Sequence, residues 1–86
     1  MPFVYILRCG DGSLYTGIAK DVERRLAQHR AGRASRYTRA RQPVILAWSR
    51  EVETWSAALK EEIRIKTMSR AAKEALVREM APARPS

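Results

Sequence analysis

The stretch Phe3-Val4-Tyr5-Ile6-Leu7-Arg8-Cys9-Gly10-Asp11-Gly12-Ser13-Leu14-Tyr15-Thr16-Gly17-Ile18-Ala19 decides the fold. Phe3 to Leu7 is an unbroken β-branched, aromatic and aliphatic run, the signature of a strand buried on both faces. Gly10-Asp11-Gly12-Ser13 is a turn signal, and Leu14 to Ala19 reads as a second strand. The two form a β-hairpin. Whether Tyr5 and Tyr15 share a face depends on its register, because a slip of one residue turns every side chain over. Gly17 lies two residues beyond Tyr15, on the same side of its strand. A glycine inside a strand often marks a place where a ligand or another backbone approaches closely.

Outward from the hairpin, Asp21 is placed to cap a helix reaching Arg30, which Gly32 ends. Residues 33–42 form a basic connection with little apolar content. Pro43 opens a third strand, Val44 to Trp48, extending toward Glu51. Thr54 is placed to cap a helix from Trp55 to Met68. Ser69 is placed to cap another, with Ala72, Leu76 and Met80 at four-residue spacing. Pro82 and Pro85 stop that helix and leave 81–86 as a flexible tail. The order is ββαβαα, an α/β fold with a small sheet covered by helices. At 86 residues the chain accommodates one domain, over 1–80.

Charge is concentrated rather than spread. The net charge is +8 with 17 Lys and Arg against 9 Asp and Glu, and Arg24 to Arg50 holds eight arginines and no acid. The remaining residues carry nine basic and nine acidic groups and are neutral. A dense arginine field suits a polyanion, since forked guanidinium groups grip phosphate and neutralisation releases counterions. Arg33, Arg36, Tyr37, Arg39 and Arg41 are therefore the candidate substrate-binding residues, with DNA or RNA as partner. No apolar run approaches the ~20 residues of a membrane span, so no membrane partner is expected. The lone Cys9 allows neither an intrachain disulfide nor a cysteine zinc cluster, which suits a reducing, cytoplasmic setting. No phosphate loop, Gly-x-Ser-x-Gly elbow or Cys-His dyad occurs. Any chemistry must come from tyrosine, arginine, histidine and glutamate.

Projected at about 100° per residue, the Trp55 helix gathers Trp55, Ala58, Leu59 and Ile63 on one face, with Glu62 near its middle and Glu61 and Lys60 pointing elsewhere. A carboxylate there must be paired, protonated or bound to a cation. Lys66, four residues on, is one partner for a purely structural pair. On the preceding helix, Val22 and Leu26 mark the buried direction, and Arg25 and His29 lie along its edge while Arg24 faces solvent. A single histidine is compatible with either a structural role or a phosphate contact.

Val4-Tyr5-Ile6, Tyr15-Thr16-Gly17 ten residues after Tyr5, Arg25 eight past that glycine, then His29 and Glu62, together resemble the GIY-YIG nuclease family. Glu62-Ile63-Arg64-Ile65-Lys66, with Ser69-Arg70 and Lys73, resembles its small stand-alone bacterial branch, the YhbQ-like proteins. The similarity runs from Phe3 to Val77. It implies a three-stranded antiparallel sheet flanked by helices, and metal-dependent hydrolysis of DNA phosphodiesters. It gives Tyr5, Tyr15, Arg25, His29 and Glu62 the catalytic positions, with Glu62 holding one Mg²⁺ or Mn²⁺ ion and Gly17 among the substrate-side residues. Two departures stand out. Ile18 follows Gly17 where the repair-incision branch has lysine, and Phe3-Val4 replace the Gly-Ile of the first motif. The expected activity is endonucleolytic cleavage of low sequence specificity, acting on DNA structures of the repair or recombination type. The alternative is a non-catalytic DNA- or RNA-binding module with the same basic surface.

Overall fold

The computed structural model describes residues 1–80, so the expected tail lies outside the described residues. Strands β1 (Phe3–Arg8) and β2 (Leu14–Ala19) form the hairpin, and β3 (Ile45–Glu51) completes a three-stranded sheet in the order β2-β1-β3. Both pairings are antiparallel, and a register shift between Ile6 and Leu7 interrupts the β1–β3 ladder. As the central strand, β1 is covered on both sides, which is why its Val4 to Leu7 run is apolar throughout and at most 3% exposed.

Helix α1 (Val22–Arg30) begins at Asp21, whose carboxylate accepts the Arg24 N–H at 3.0 Å. Gly32, at φ +75°, follows it in the left-handed conformation that glycine adopts without penalty. Residues 33–42 are not irregular throughout. Ser35 accepts the Thr38 N–H and caps a one-turn helix, α2 (Arg36–Arg39). The side-chain pattern is too short to announce a single turn, but the Ser35 cap suffices to form it.

Strand β3 begins one residue later than the sequence suggests, leaving Val44 buried just outside it. Helix α3 (Trp55–Lys66) stops short of Met68 because Thr67 takes the C-cap. Helix α4 (Arg70–Glu79) is capped by Ser69, and its Leu76 is buried while Met80 is exposed at the C-cap. Arg8 on β1 donates twice to Glu74 of α4, at 3.0 and 2.6 Å, and ties the last helix to the hairpin.

Alternation along β1 divides the core in two. Val4 and Ile6 pack with Trp48, Ala58, Ile65 and Leu76, so α3 and α4 cover that face. Tyr5 and Leu7 pack with Cys9, Ala19 and Val44, flanked by Tyr15, Val22 and Leu26, so α1 covers the other. No helix among the described residues is long and apolar enough to cross a membrane.

Candidate active site

The hairpin register settles how the tyrosines relate. Tyr5 pairs with Gly17 and Leu7 with Tyr15. Directly opposed residues of an antiparallel pair share a face, so Tyr5 and Tyr15 are diagonal neighbours on the α1 side. The space over Gly17 is taken by Tyr5 itself: a Cβ at position 17 would lie 2.5 Å from the Tyr5 Oη and 2.6 Å from its Cζ. The close approach that the glycine permits is made by a phenol of the same chain.

His29 is brought to that phenol by α1. It is 1% exposed, its Nε2 lies 2.9 Å from Tyr5 Oη, and its Nδ1 lies 2.8 Å from Thr38 Oγ1. The Thr38 hydroxyl donates to the Ser35 carbonyl at 3.3 Å, which leaves its oxygen to accept the His29 Nδ1–H. Nε2 is then unprotonated and accepts the Tyr5 O–H. Every proton of the chain Tyr5–His29–Thr38–Ser35 has an acceptor in this arrangement. The Gln42 side-chain amide holds both helices in place, donating to the His29 carbonyl at 2.7 Å and the Thr38 carbonyl at 3.0 Å.

The electrostatics agree with that assignment. Burial, and secondarily the charge of Arg25, hold the His29 imidazole below its ordinary value, which favours the neutral ring. The Tyr5 phenol is pushed far above its usual value of 10.0, mainly by burial and then by Tyr15; Arg25 pulls it back, and Glu62 raises it further. Arg25 and Glu62 thus both act on the Tyr5 oxygen, one from each helix layer. Tyr15 is half-buried, with its ring edge-on to His29 at 5.1 Å and stacked on Tyr37 at 5.9 Å. The Arg41 guanidinium caps the row, 3.9 Å from the Tyr37 ring centre.

Helix α3 does not present the face that its sequence suggests. Trp55, Leu59 and Ile63 are 45%, 42% and 61% exposed, whereas Ala58 and Ile65 are fully buried. The helix offers two apolar stripes, and the sheet takes the one where Ala58 allows close approach. Glu61 and Glu62 both flank that buried stripe, their side chains 19% and 18% exposed. Glu61 therefore does not point away. It pairs with Arg64 and, at 3.9 Å, with Arg50. Glu62 lies 3.3 Å from Lys66 through one oxygen, and its other oxygen has no hydrogen-bond partner among the described residues.

No group of three or more His, Cys, Asp or Glu side chains that could cage a metal occurs among the described residues. A lone carboxylate with one uncommitted oxygen suits a hard ion that keeps its waters and shares a substrate phosphate. Glu62 would hold it.

The basic segment divides into engaged and free groups. Arg41 pairs with Asp11 at 3.1 Å and donates to the Tyr37 carbonyl. Arg33, Arg36 and Arg39 have no ion-pair partner among the described residues, and with Gly32, Ala34 and Ser35 they line a shallow groove of about 550 Å³. Arg24 is exposed and Arg25 half-buried; both line a second groove.

Sequence reasoning missed Thr38 and Gln42. A threonine and a glutamine in a basic loop carry no periodic signal, and only the Ser35 cap three residues before Thr38 hints that it belongs to a turn.

A profile of the GIY-YIG catalytic domain matches residues 1–75. UPF0213 proteins of Staphylococcus aureus, including those of strains Mu50 and N315, are 51% identical over 77 residues, covering 90% of this chain and 94% of theirs. The solution NMR structure of the UPF0213 protein BH0048 from Bacillus halodurans is 40% identical with a TM-score of 0.62, over 95% of this chain and 88% of that one. That of the protein EF2693 from E. faecalis is 35% identical with a TM-score of 0.61, over 98% and 90%.

Proposed function

Because the chain belongs to the GIY-YIG family of nucleases, we propose that it is a divalent-metal-dependent DNA endonuclease of low sequence specificity, acting on DNA of the kinds met in repair and recombination. The observation that carries this reading is the buried 2.9 Å contact between Tyr5 Oη and His29 Nε2, made in the field of Arg25 and Glu62. Packing alone does not require a buried phenol and imidazole to be coupled.

A phenol held far above neutral pH is no standing base. Coupled to a neutral imidazole it serves as a relay: Tyr5 Oη takes the proton of the attacking water as it passes its own to His29 Nε2. The new bond joins water oxygen to phosphorus, and the P–O3′ bond breaks; the departing O3′ takes a proton from solvent, leaving 3′-hydroxyl and 5′-phosphate ends. Thr38 holds Nδ1–H throughout, fixing the ring for that transfer. Arg25 steadies the negative charge growing on the phosphoryl oxygens. Tyr15, stacked on Tyr37 and edge-on to His29, positions the phosphate beside it. Glu62 would hold Mg²⁺ or Mn²⁺, which would supply Lewis-acid stabilisation of the leaving oxygen.

The Lys66–Glu62 pair favours a second reading, a non-catalytic DNA- or RNA-binding module in which Glu62 is purely structural. Cleavage of labelled single-stranded, duplex and branched DNA, with and without Mg²⁺ or Mn²⁺, separates the two. The nuclease reading expects metal-dependent cutting, reduced ~10²–10⁴-fold in Tyr5→Phe and His29→Ala and abolished in Glu62→Gln. Salt-sensitive binding with no cutting under any condition would leave the binding module.

A further inference from the structure

The second groove, about 360 Å³, is lined by Ala19, Lys20, Asp21, Arg24, Arg25, Gln28 and Trp55. It joins the edge of β2 and the outer side of α1 to the first residue of α3. Three cations, an amide and a large aromatic ring meet there. Trp55 is 45% exposed, whereas the other tryptophan, Trp48, is 2% exposed in the core. Asp21 is committed to capping α1. The Gln28 side chain has no hydrogen-bond partner among the described residues and is free to meet a polar edge. Lys20, Arg24 and Arg25 have no ion-pair partner among them either.

We infer that this groove is a subsite for one unpaired nucleotide, its base stacked on Trp55 and its flanking phosphates held by Lys20 and Arg24. The inference rests on the nuclease reading only for Arg25, which lines the groove and also acts on the reacting centre. A base has an apolar face and polar edges, matching an exposed indole beside a free amide. A base paired within a duplex has both faces covered by its neighbours and cannot present one to Trp55. Single-stranded grooves combine a cationic path for the backbone with aromatic platforms for bases, and pockets of ~300 Å³ and upward are of small-ligand size. The preferred substrate class is therefore DNA with an unstacked or single-stranded residue next to the scissile phosphate. Selection by the absence of pairing also accounts for low sequence preference, since every base offers a π face.

Binding without metal keeps this test apart from catalysis. Oligothymidylate of ten nucleotides, the same backbone made fully abasic, and a duplex of equal length are titrated into the full chain in EDTA, followed by tryptophan fluorescence and anisotropy. Oligothymidylate should quench the exposed tryptophan. It should also bind about tenfold more weakly to Trp55→Ala, equivalent to ~1.4 kcal/mol, while Trp55→Phe retains most of the affinity. The abasic strand should bind wild type and Trp55→Ala alike, and the duplex should change less than twofold. Equal binding of oligothymidylate and abasic strand by wild type, or equal losses for strand and duplex in Trp55→Ala, would overturn the subsite. Neither result depends on cleavage, so a catalytically silent protein could still show stacking, and an active one could lack it.

Discussion

Replacing Gly17 with alanine tests the geometry of the site through one methyl group. The added Cβ would sit 2.5 Å from Tyr5 Oη and 2.6 Å from Cζ, closer than real contacts allow. Gly17 lies opposite Tyr5 in a strand paired to the central one, so the ring rather than the backbone must move. Moving it takes Oη off His29 Nε2. Overpacking a tight core contact costs ~1–3 kcal/mol, and a buried hydrogen bond left without its partner adds ~1 kcal/mol or more. The total is ~2–4 kcal/mol, and at ~4–8 °C per kcal/mol for a domain this size the melting temperature should fall by ~10–30 °C. Thermal unfolding followed by circular dichroism measures it. The decisive arm is the same substitution in a Tyr5→Val background, where no ring is present to be struck. There Gly17→Ala should be neutral or stabilising by up to ~1 kcal/mol, because alanine loses less backbone entropy than glycine. An equal loss in both backgrounds would show that the cost has nothing to do with Tyr5, and the account of Gly17 would be wrong.

His29 is the chain's sole histidine, so its imidazole signals in an NMR titration need no assignment by mutation. Its midpoint should lie below 6.5, with Nδ1 protonated in the neutral form; a midpoint above 6.5 would contradict a buried acceptor ring. The unfolded state takes up a proton below pH 6.5 before the folded one does, so this group contributes no penalty above that pH and destabilises as the pH falls, an effect that His29→Gln should remove. Glu74 titrates lower, because the Arg8 guanidinium holds its carboxyl down at about 2 instead of 4.5. Its contribution is complete above pH 4.5 and is lost as the pH drops toward 2, and acid unfolding of Arg8→Leu should lack that loss. Among the arginines, Arg36→Ala should reduce the salt slope of DNA binding by ~0.9 for each phosphate that Arg36 neutralises. Arg41→Ala should change it less, since Arg41 already pairs with Asp11; equal slopes would place both at the interface.

Element order and most caps were legible because each rests on local chemistry. Asp21, Thr54 and Ser69 accept the N–H groups that helix starts leave open, and each does so in the structure. Glu62 was legible as a carboxylate out of place, but the face it belongs to was not. A helix with two apolar stripes does not declare which one the sheet will accept, and here Ala58 prevailed over Trp55, Leu59 and Ile63. The tyrosine faces depended on a hairpin register that turn residues alone do not fix. Thr38 was hidden for a different reason. Its role arises from a nonlocal contact, nine residues from His29, and a single turn of helix leaves no period to read.

The same sequence separates the charges that hold the fold from those left for a ligand. Arg8, Arg70 and Glu74 tie α4 to the hairpin, and Arg50, Glu61 and Arg64 join β3 to α3, with every carboxylate matched by a cation. Between Arg24 and Arg39 no ion pair is made among the described residues, though six arginines lie there. Like charges at that density repel, and the repulsion is strongest at low salt, where the Debye length is ~30 Å at 0.01 M. Salt should therefore stabilise the free protein slightly while weakening its hold on DNA. A phosphate backbone relieves the repulsion that salt otherwise screens, so stability and affinity respond to ionic strength with opposite signs. A protein whose arginines merely solvated a loop would show the first response without the second.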